Sequence, residues 1–186
     1  MGSMRLHPTS IKDLNEIESE PFVDERGRFS RLFCEQAFAV IRPELHFVQI
    51  NLSETRKCGT LRGMHYQQAP AAEAKLIRCT RGRVFDVAVD LRQDSATFLS
   101  WHAVELAEDN DRGFFIPEGF AHGFQTLSDN VQLLYMHTVA WQPQCEAGLR
   151  YDDPRIGIRW PTAVTHISNK DQSYRLLDEA FVGFCP

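Results

Sequence analysis

His65 lies in the run Gly-Thr-Leu-Arg-Gly-Met-His-Tyr-Gln that starts at Gly59, three residues after Arg62 and ten before Lys75. A histidine between two cations is a set of groups suited to taking a proton from a carbon beside a carbonyl. Histidine is the side chain whose charge changes near neutral pH. The cations can hold an anionic substrate and the enolate that develops from it. Taken alone, a histidine on a half-buried strand also fits a purely structural part. The elements around it therefore have to decide.

Those elements are short and alternate with a period of two. In residues 47–53, Gln49, Asn51 and Ser53 share one face, and Val48, Ile50 and Leu52 share the other. Residues 84–91 set Phe85, Val87, Val89 and Leu91 against Asp86, Ala88 and Asp90, and residues 131–141 continue the pattern. Many short period-two segments separated by turn residues predict an antiparallel, all-β sandwich or barrel. Helical signal is confined to a turn or short helix from Thr9 and a second candidate over residues 34–41. In a closed barrel one face of each strand points inward. Polar inward faces predict a ligand cavity, because unpaired buried polar groups are costly.

The 186 residues predict a single domain with a substantial core. No repeat, linker or low-complexity stretch divides the chain. Residues 1–3 read as a cloning remnant ahead of a native start at Met4, so the domain is taken as 4–186. A net charge of -5 offers no general attraction to nucleic acid or acidic membranes. No apolar run approaches the roughly 20 residues that span a bilayer. Cys34, Cys58, Cys79, Cys145 and Cys185 are odd in number, with no close pair. They read as reduced, mostly buried thiols of a cytoplasmic protein.

The run from Ile116 to Phe124 carries a Pro-x-Gly-x-x-His spacing typical of the second cupin motif, whose sharp turn would deliver His122 into the barrel. A metal-binding cupin also needs a His-x-His pair, and the corresponding place here reads His65-Tyr-Gln67. No metal and no cofactor are expected.

As a whole the chain resembles the dTDP-4-dehydrorhamnose 3,5-epimerase family of the cupin superfamily. The matching pieces include Asp24-Glu-Arg-Gly27, Val48-Gln-Ile-Asn51, Leu61-Arg-Gly-Met-His-Tyr-Gln67, Lys75, Asp86-Val-Ala-Val-Asp-Leu-Arg92 and Pro117-Glu-Gly-Phe-Ala-His-Gly-Phe124. Tyr135, Pro143 with Glu146, Asp152-Asp-Pro154, Trp160-Pro161 and Ser168-Asn-Lys-Asp171 follow in family order. The resemblance implies a cupin jelly-roll that forms a homodimer partly by exchanging N-terminal strands. It also implies epimerisation, without metal, of a nucleotide-activated 4-keto-6-deoxyhexose. His65 would be the base, Asp171 the carboxylate that orients it, Tyr135 the acid on the opposite face, and Lys75 the cation at the C4 oxygen. Arg26, Gln49, Asn51, Arg62, His122, Glu146 and Lys170 match positions that contact the sugar or the nucleotide.

Two positions depart from the family. Arg31 stands where a glutamate is usual in the nucleotide region, which reverses the charge. Trp141 replaces a tyrosine that stacks on the thymine, and it shares strand parity with Tyr135, about 20 Å away along a straight strand at roughly 3.3 Å per residue. Stacking is kept, but a preference for thymidine does not follow from it. The competing readings are a C3-only or C5-only epimerase of another nucleotide sugar, a 3,4-ketoisomerase, a binding-only cupin and a metal-dependent oxygenase. A binding-only protein has no need of His65, Lys75, Tyr135 and Asp171 together.

Overall fold

A computed structural model describes residues 3–186, so the expected remnant at residues 1–3 falls mostly outside the described part, with Met1 and Gly2 not described. The strands run β1 (Met4–Pro8), β2 (Asn15–Ser19), β3 (Phe22–Asp24), β4 (Gly27–Phe29), β5 (Gln49–Thr55), β6 (Leu61–Gln67), β7 (Lys75–Arg81) and β8 (Arg83–Asp90). They continue with β9 (Trp101–Ala107), β10 (Arg112–Ile116), β11 (Phe120–Thr126), β12 (Val131–His137) and β13 (Glu146–Gly148). Among the described residues, two short α-helices, α1 (Glu35–Phe38) and α2 (Asn169–Ser173), and a 3-10 turn at Pro143–Cys145 complete the set. The all-β expectation holds: this is the cupin-type jelly-roll.

One sheet has the order β1-β2-β10-β7-β12-β5 and the other β13-β6-β11-β8-β9, with β3 and β4 forming a separate hairpin. The main core, with Leu14, Ile77, Val84, Leu106, Phe114 and Leu133, fills the space between the two sheets. A second cluster covers the other face of β6, β8 and β11, where Val87, Val89 and Leu91 meet Trp160, Phe181 and Phe184 of the C-terminal segment. That covering explains how residues 84–91 can bury both faces. Asp86 faces the interior with Val84 and Ala88, and Val87 and Val89 face the C-terminal layer.

Tight turns set the strand ends. Gly119 holds φ +86°, and a Cβ there would overlap the Arg92 side chain, so the turn into β11 requires glycine. Gly63 (φ +134°) lies so close to Gly123 that a Cβ on it would come within 2.5 Å of the Gly123 Cα. Strands β6 and β11 therefore approach closely, beside a register shift between His122 and Phe124.

Two expectations need correction, the strand end and the cysteine burial, and the open reading of the Thr9 segment resolves to the turn. The strand from residue 131 ends at His137 and does not reach Trp141. Thr138 still donates its N–H to the Ala74 C=O at 3.1 Å while its hydroxyl accepts the Ala74 N–H at 2.8 Å, and the chain bends at residues 138–139. The segment from Thr9 is a turn between β1 and β2, closed by Thr9 N–H to Leu14 C=O at 3.0 Å, with no helix. Only Cys79 and Cys145 are buried, whereas Cys58 and Cys185 are exposed and Cys34 is intermediate. Cys58 lies on the connection between β5 and β6 and Cys185 is next to the last residue, both outside the two sheets. All five cysteines are free. Among the described residues no helix is long and apolar enough to cross a membrane.

Strand β5 is inverted relative to an ordinary edge strand. Its polar residues point into the molecule, while Val48, Ile50 and Leu52 are 63%, 61% and 57% exposed. Phe22, Val23 and Phe29 on the β3–β4 hairpin are also exposed.

Candidate active site

A cavity of about 270 Å³ opens between the sheets, with His65, Lys75, His122 and Tyr135 on its walls. The walls follow from strand register. Tyr135 lies opposite Asn51 on β5 and Ile77 on β7, and His137 lies opposite Gln49 and Lys75. From the other sheet, His65 on β6 pairs with His122 on β11, made possible by the close contact of Gly63 and Gly123.

The sequence-predicted His65–Asp171 pair is formed. His65 Nε2 donates to Asp171 Oδ1 at 2.7 Å, which leaves Nδ1 with the lone pair. Asp171 is presented by α2, whose N-cap Ser168 accepts the Asp171 N–H at 3.0 Å. The other carboxylate oxygen accepts the Gly63 N–H at 3.2 Å. Burial alone would raise the Asp171 carboxyl. The His65 bond and charge, the Gly63 N–H and Ser168 together outweigh it, so the group stays below the ordinary carboxylate range.

On the facing wall Tyr135 has its hydroxyl pushed well above the usual tyrosine range, by burial first and then by the nearby Asp86. A tyrosine so placed keeps its proton at neutral pH and is a donor. Its ring meets the His122 ring edge-on, 5.8 Å between centroids. His122 Nε2 bonds to Asp86 Oδ1 at 2.9 Å. Burial lowers His122 and raises Asp86, in each case against the pull of the partner. The second Asp86 oxygen is buried without a partner.

Lys75 pairs with Glu73 at 3.2 Å, and the Glu73 carboxylate accepts from His137 Nδ1 at 2.7 Å. At the mouth, Arg62 donates to Ser53 at 2.7 Å, Glu146 pairs with Lys170 at 2.8 Å, and Trp141 lines the wall while 57% exposed. Asn51 approaches His137 at 3.4 Å. Gln49 is already engaged, accepting the Trp141 N–H at 3.2 Å.

Two predicted contacts are not brought to this cavity by their own chain. Arg26 sits at the tip of the β3–β4 hairpin, bonded to Asp24 at 2.6 Å. Arg31 lies on the segment after the hairpin, its guanidinium 3.9 Å from Cys34 Sγ. Sequence reasoning passed over Glu73 and His137. Their signal was the spacing Glu-x-Lys and Tyr-x-His, which sets each beside a singled-out residue. Asp86 was placed on a polar face but not paired with His122, because that pairing joins distant strands.

Comparison with known proteins gives one family. The family model described as dTDP-4-dehydrorhamnose 3,5-epimerase matches residues 8–179. The dTDP-4-dehydrorhamnose 3,5-epimerase of Salmonella typhimurium is 43% identical, over 94% of this chain and 96% of its own. The one from Sinorhizobium fredii is 40% identical, over 99% of this chain and 95% of its own. Among solved structures, the dTDP-6-deoxy-D-glucose-3,5-epimerase of Legionella pneumophila in complex with dTDP-4-keto-L-rhamnose superposes with a TM-score of 0.90 at 36% identity. That match covers 99% of this chain and 100% of the other.

Proposed function

Because the chain belongs to the dTDP-4-dehydrorhamnose 3,5-epimerase family, we propose that its cavity takes dTDP-4-keto-6-deoxyglucose and inverts C3 and C5 beside the C4 ketone. The observation that carries the reading is the His65–Asp171 pair and Tyr135 on opposite walls of one cavity. Inversion needs a base on one face of the sugar and an acid on the other. His65 Nδ1 removes the proton alpha to the ketone, and the resulting imidazolium is held by Asp171. The Lys75 ammonium takes up the charge that develops on the C4 oxygen, where a positioned donor contributes several kcal/mol. Tyr135 then returns a proton to the opposite face. One C–H bond breaks and another forms at each carbon and no electrons change hands; the His65 imidazolium then gives its proton to solvent and the Tyr135 phenolate takes one back, so the cycle closes without a cofactor.

The cations at the mouth support an anionic nucleotide. Arg62 and Lys170 border a neighbouring hollow that also takes in Arg56, Lys57 and His65, a setting suited to a diphosphate beside the sugar. Asn51, Gln49, His122 and Glu146 are assigned to sugar or nucleotide contacts. Trp141 is assigned to stacking on the base. It reaches the cavity from the loop after β12, and does not depend on strand parity with Tyr135.

The assembly proposed is a homodimer. Exposed Val48, Ile50 and Leu52 on an edge strand, with exposed Phe22 and Phe29 on a projecting hairpin, are the kind of surface that another copy covers. Exchange of hairpins would also bring Arg26 and Arg31 to the partner's cavity. Five unpaired cysteines support a reducing, cytoplasmic setting.

The test is product stereochemistry. After incubation with dTDP-4-keto-6-deoxyglucose, borohydride reduces the ketone and the sugars are identified. L-rhamnose with 6-deoxy-L-talose is expected, and recovery of only the D-sugars derived from unchanged substrate would remove the assignment.

A further inference from the structure

Beside the groups assigned above lies a chain of polar contacts with no part yet in the reaction. Lys75 and His137 are register partners on β7 and β12. Glu73, on the loop leading into β7, sits between their side chains, with one oxygen 3.2 Å from Lys75 Nζ and the other accepting from His137 Nδ1 at 2.7 Å. With Nδ1–H committed to Glu73, His137 Nε2 is the acceptor facing the Asn51 amide nitrogen at 3.4 Å. The His137 ring also lies nearly parallel to the Tyr135 ring, 16° between planes and 6.0 Å between centroids. The side chains are closely enclosed: Glu73 is 7% exposed, Lys75 10% and His137 13%.

Resting on the proposed function, we infer that Glu73 is a positioning residue for Lys75 and that His137 fixes Glu73, so that the ammonium is held at the C4 oxygen. Lysine is a point charge on a flexible four-carbon stem with rotatable donors, and nothing in its own geometry aims it. A carboxylate anchored at its second oxygen supplies the aim. Anchoring matters because a free glutamate would itself be mobile, and misplacement of a catalytic group by about 1 Å can cost on the order of 100-fold. The cluster also meets the requirement that enclosed charges be paired. Burial alone would raise the Glu73 carboxyl, yet the His137 bond and the Lys75 charge together hold it below its usual range. Two further titratable groups that feel the Lys75 charge, Asp86 on β8 and His122 on β11, are bonded to each other. Glu73 is thus the carboxylate that Lys75 itself pairs with.

The experiment is a double-mutant cycle with E73Q, K75M and E73Q/K75M, reading kcat, KM and deuterium wash-in from D₂O with dTDP-4-keto-6-deoxyglucose. Thermal melting is followed alongside. E73Q is expected to lower kcat and wash-in on the order of 10–100-fold, with KM changed no more than about twofold, and the double variant should fall no further than K75M. Losses that multiply across the cycle, or a wild-type kcat in E73Q, overturn the inference. Should E73Q melt early, H137F and H137N carry the same test. H137F should lose rate, and H137N, whose amide can still donate to Glu73, should restore most of it. Equal loss in both variants overturns the inference. Failure of the underlying reading looks different: either the wild type shows no wash-in, or K75M keeps the wild-type rate. Both results would remove the inference with the reading.

Discussion

His65 and His122 are register partners on adjacent strands, and each turns its Nε2 to a different carboxylate, Asp171 and Asp86. Their surroundings separate them. The His65 side chain is 34% exposed and opens on the cavity, whereas His122 is 7% exposed and its partner Asp86 is fully buried. Burial works against charging His122. The accessible ring is therefore suited to gaining and losing a proton in each cycle, and the enclosed one to staying neutral as a hydrogen-bonding wall.

Asp171→Asn should weaken both activity and acid-sensitive stability. The folded carboxyl lies below its ordinary range, so its contribution is present above the unfolded value of about 3.9 and is lost as pH falls through the folded value. The variant should be less stable than wild type at pH 7 by about 1.5–3 kcal/mol, the worth of charged hydrogen bonds. The gap should begin to narrow below about pH 4 and close as pH falls past the folded value. Denaturant titrations at the two pH values measure this, and a gap that stays constant would deny the linkage.

Tyr135→Phe should slow inversion more than exchange. His65 can still form the enolate and return a solvent-derived proton to the same face, while the opposite face has lost its donor. Comparing deuterium wash-in with the yield of inverted product checks this. Equal losses in both would remove Tyr135 as the acid.

Trp141→Ala should weaken dTDP, UDP, CDP and GDP by similar factors, since stacking contributes roughly 1–3 kcal/mol per base and tolerates base identity. Arg31→Glu should instead change their ranking in favour of dTDP. Calorimetric titration of the four nucleotides reads both effects, and an unchanged ranking would show that residue 31 does not read the base.

The paired substitution Ile50→Asp with Leu52→Asp should give monomers that melt close to the wild type, because neither side chain is part of the core. Burying an aliphatic side chain stabilises by about 1.5–3 kcal/mol, and a carboxylate there would remove that gain. Sedimentation velocity measures the mass. Persistence of a dimer would place the interface elsewhere.

Much of this site was legible in the sequence. Period two placed Gln49, Asn51 and Ser53 on one face of β5, and the turn at Pro117-Glu-Gly119 put His122 on the strand that follows. What could not be read was long-range register. Nothing local says that β8 lies beside β11, or that His137 stands opposite Lys75, and without those pairings Asp86 has no evident tie to His122 and Glu73 none to His137. The overlong strand to Trp141 shows the converse limit. The apolar pattern runs on, but the chain bends at Thr138 and Val139, after a last backbone bond from Thr138 N–H to Ala74 C=O.

The central claim is that His65 takes the proton beside the ketone. Its most direct test is deuterium wash-in from D₂O into dTDP-4-keto-6-deoxyglucose by the wild type and His65→Asn, followed by NMR at C3 and C5. The wild type should incorporate deuterium at both carbons, and His65→Asn should lose on the order of 10²–10⁴-fold or more at both while melting like the wild type. Wash-in by His65→Asn at near the wild-type rate would contradict the account.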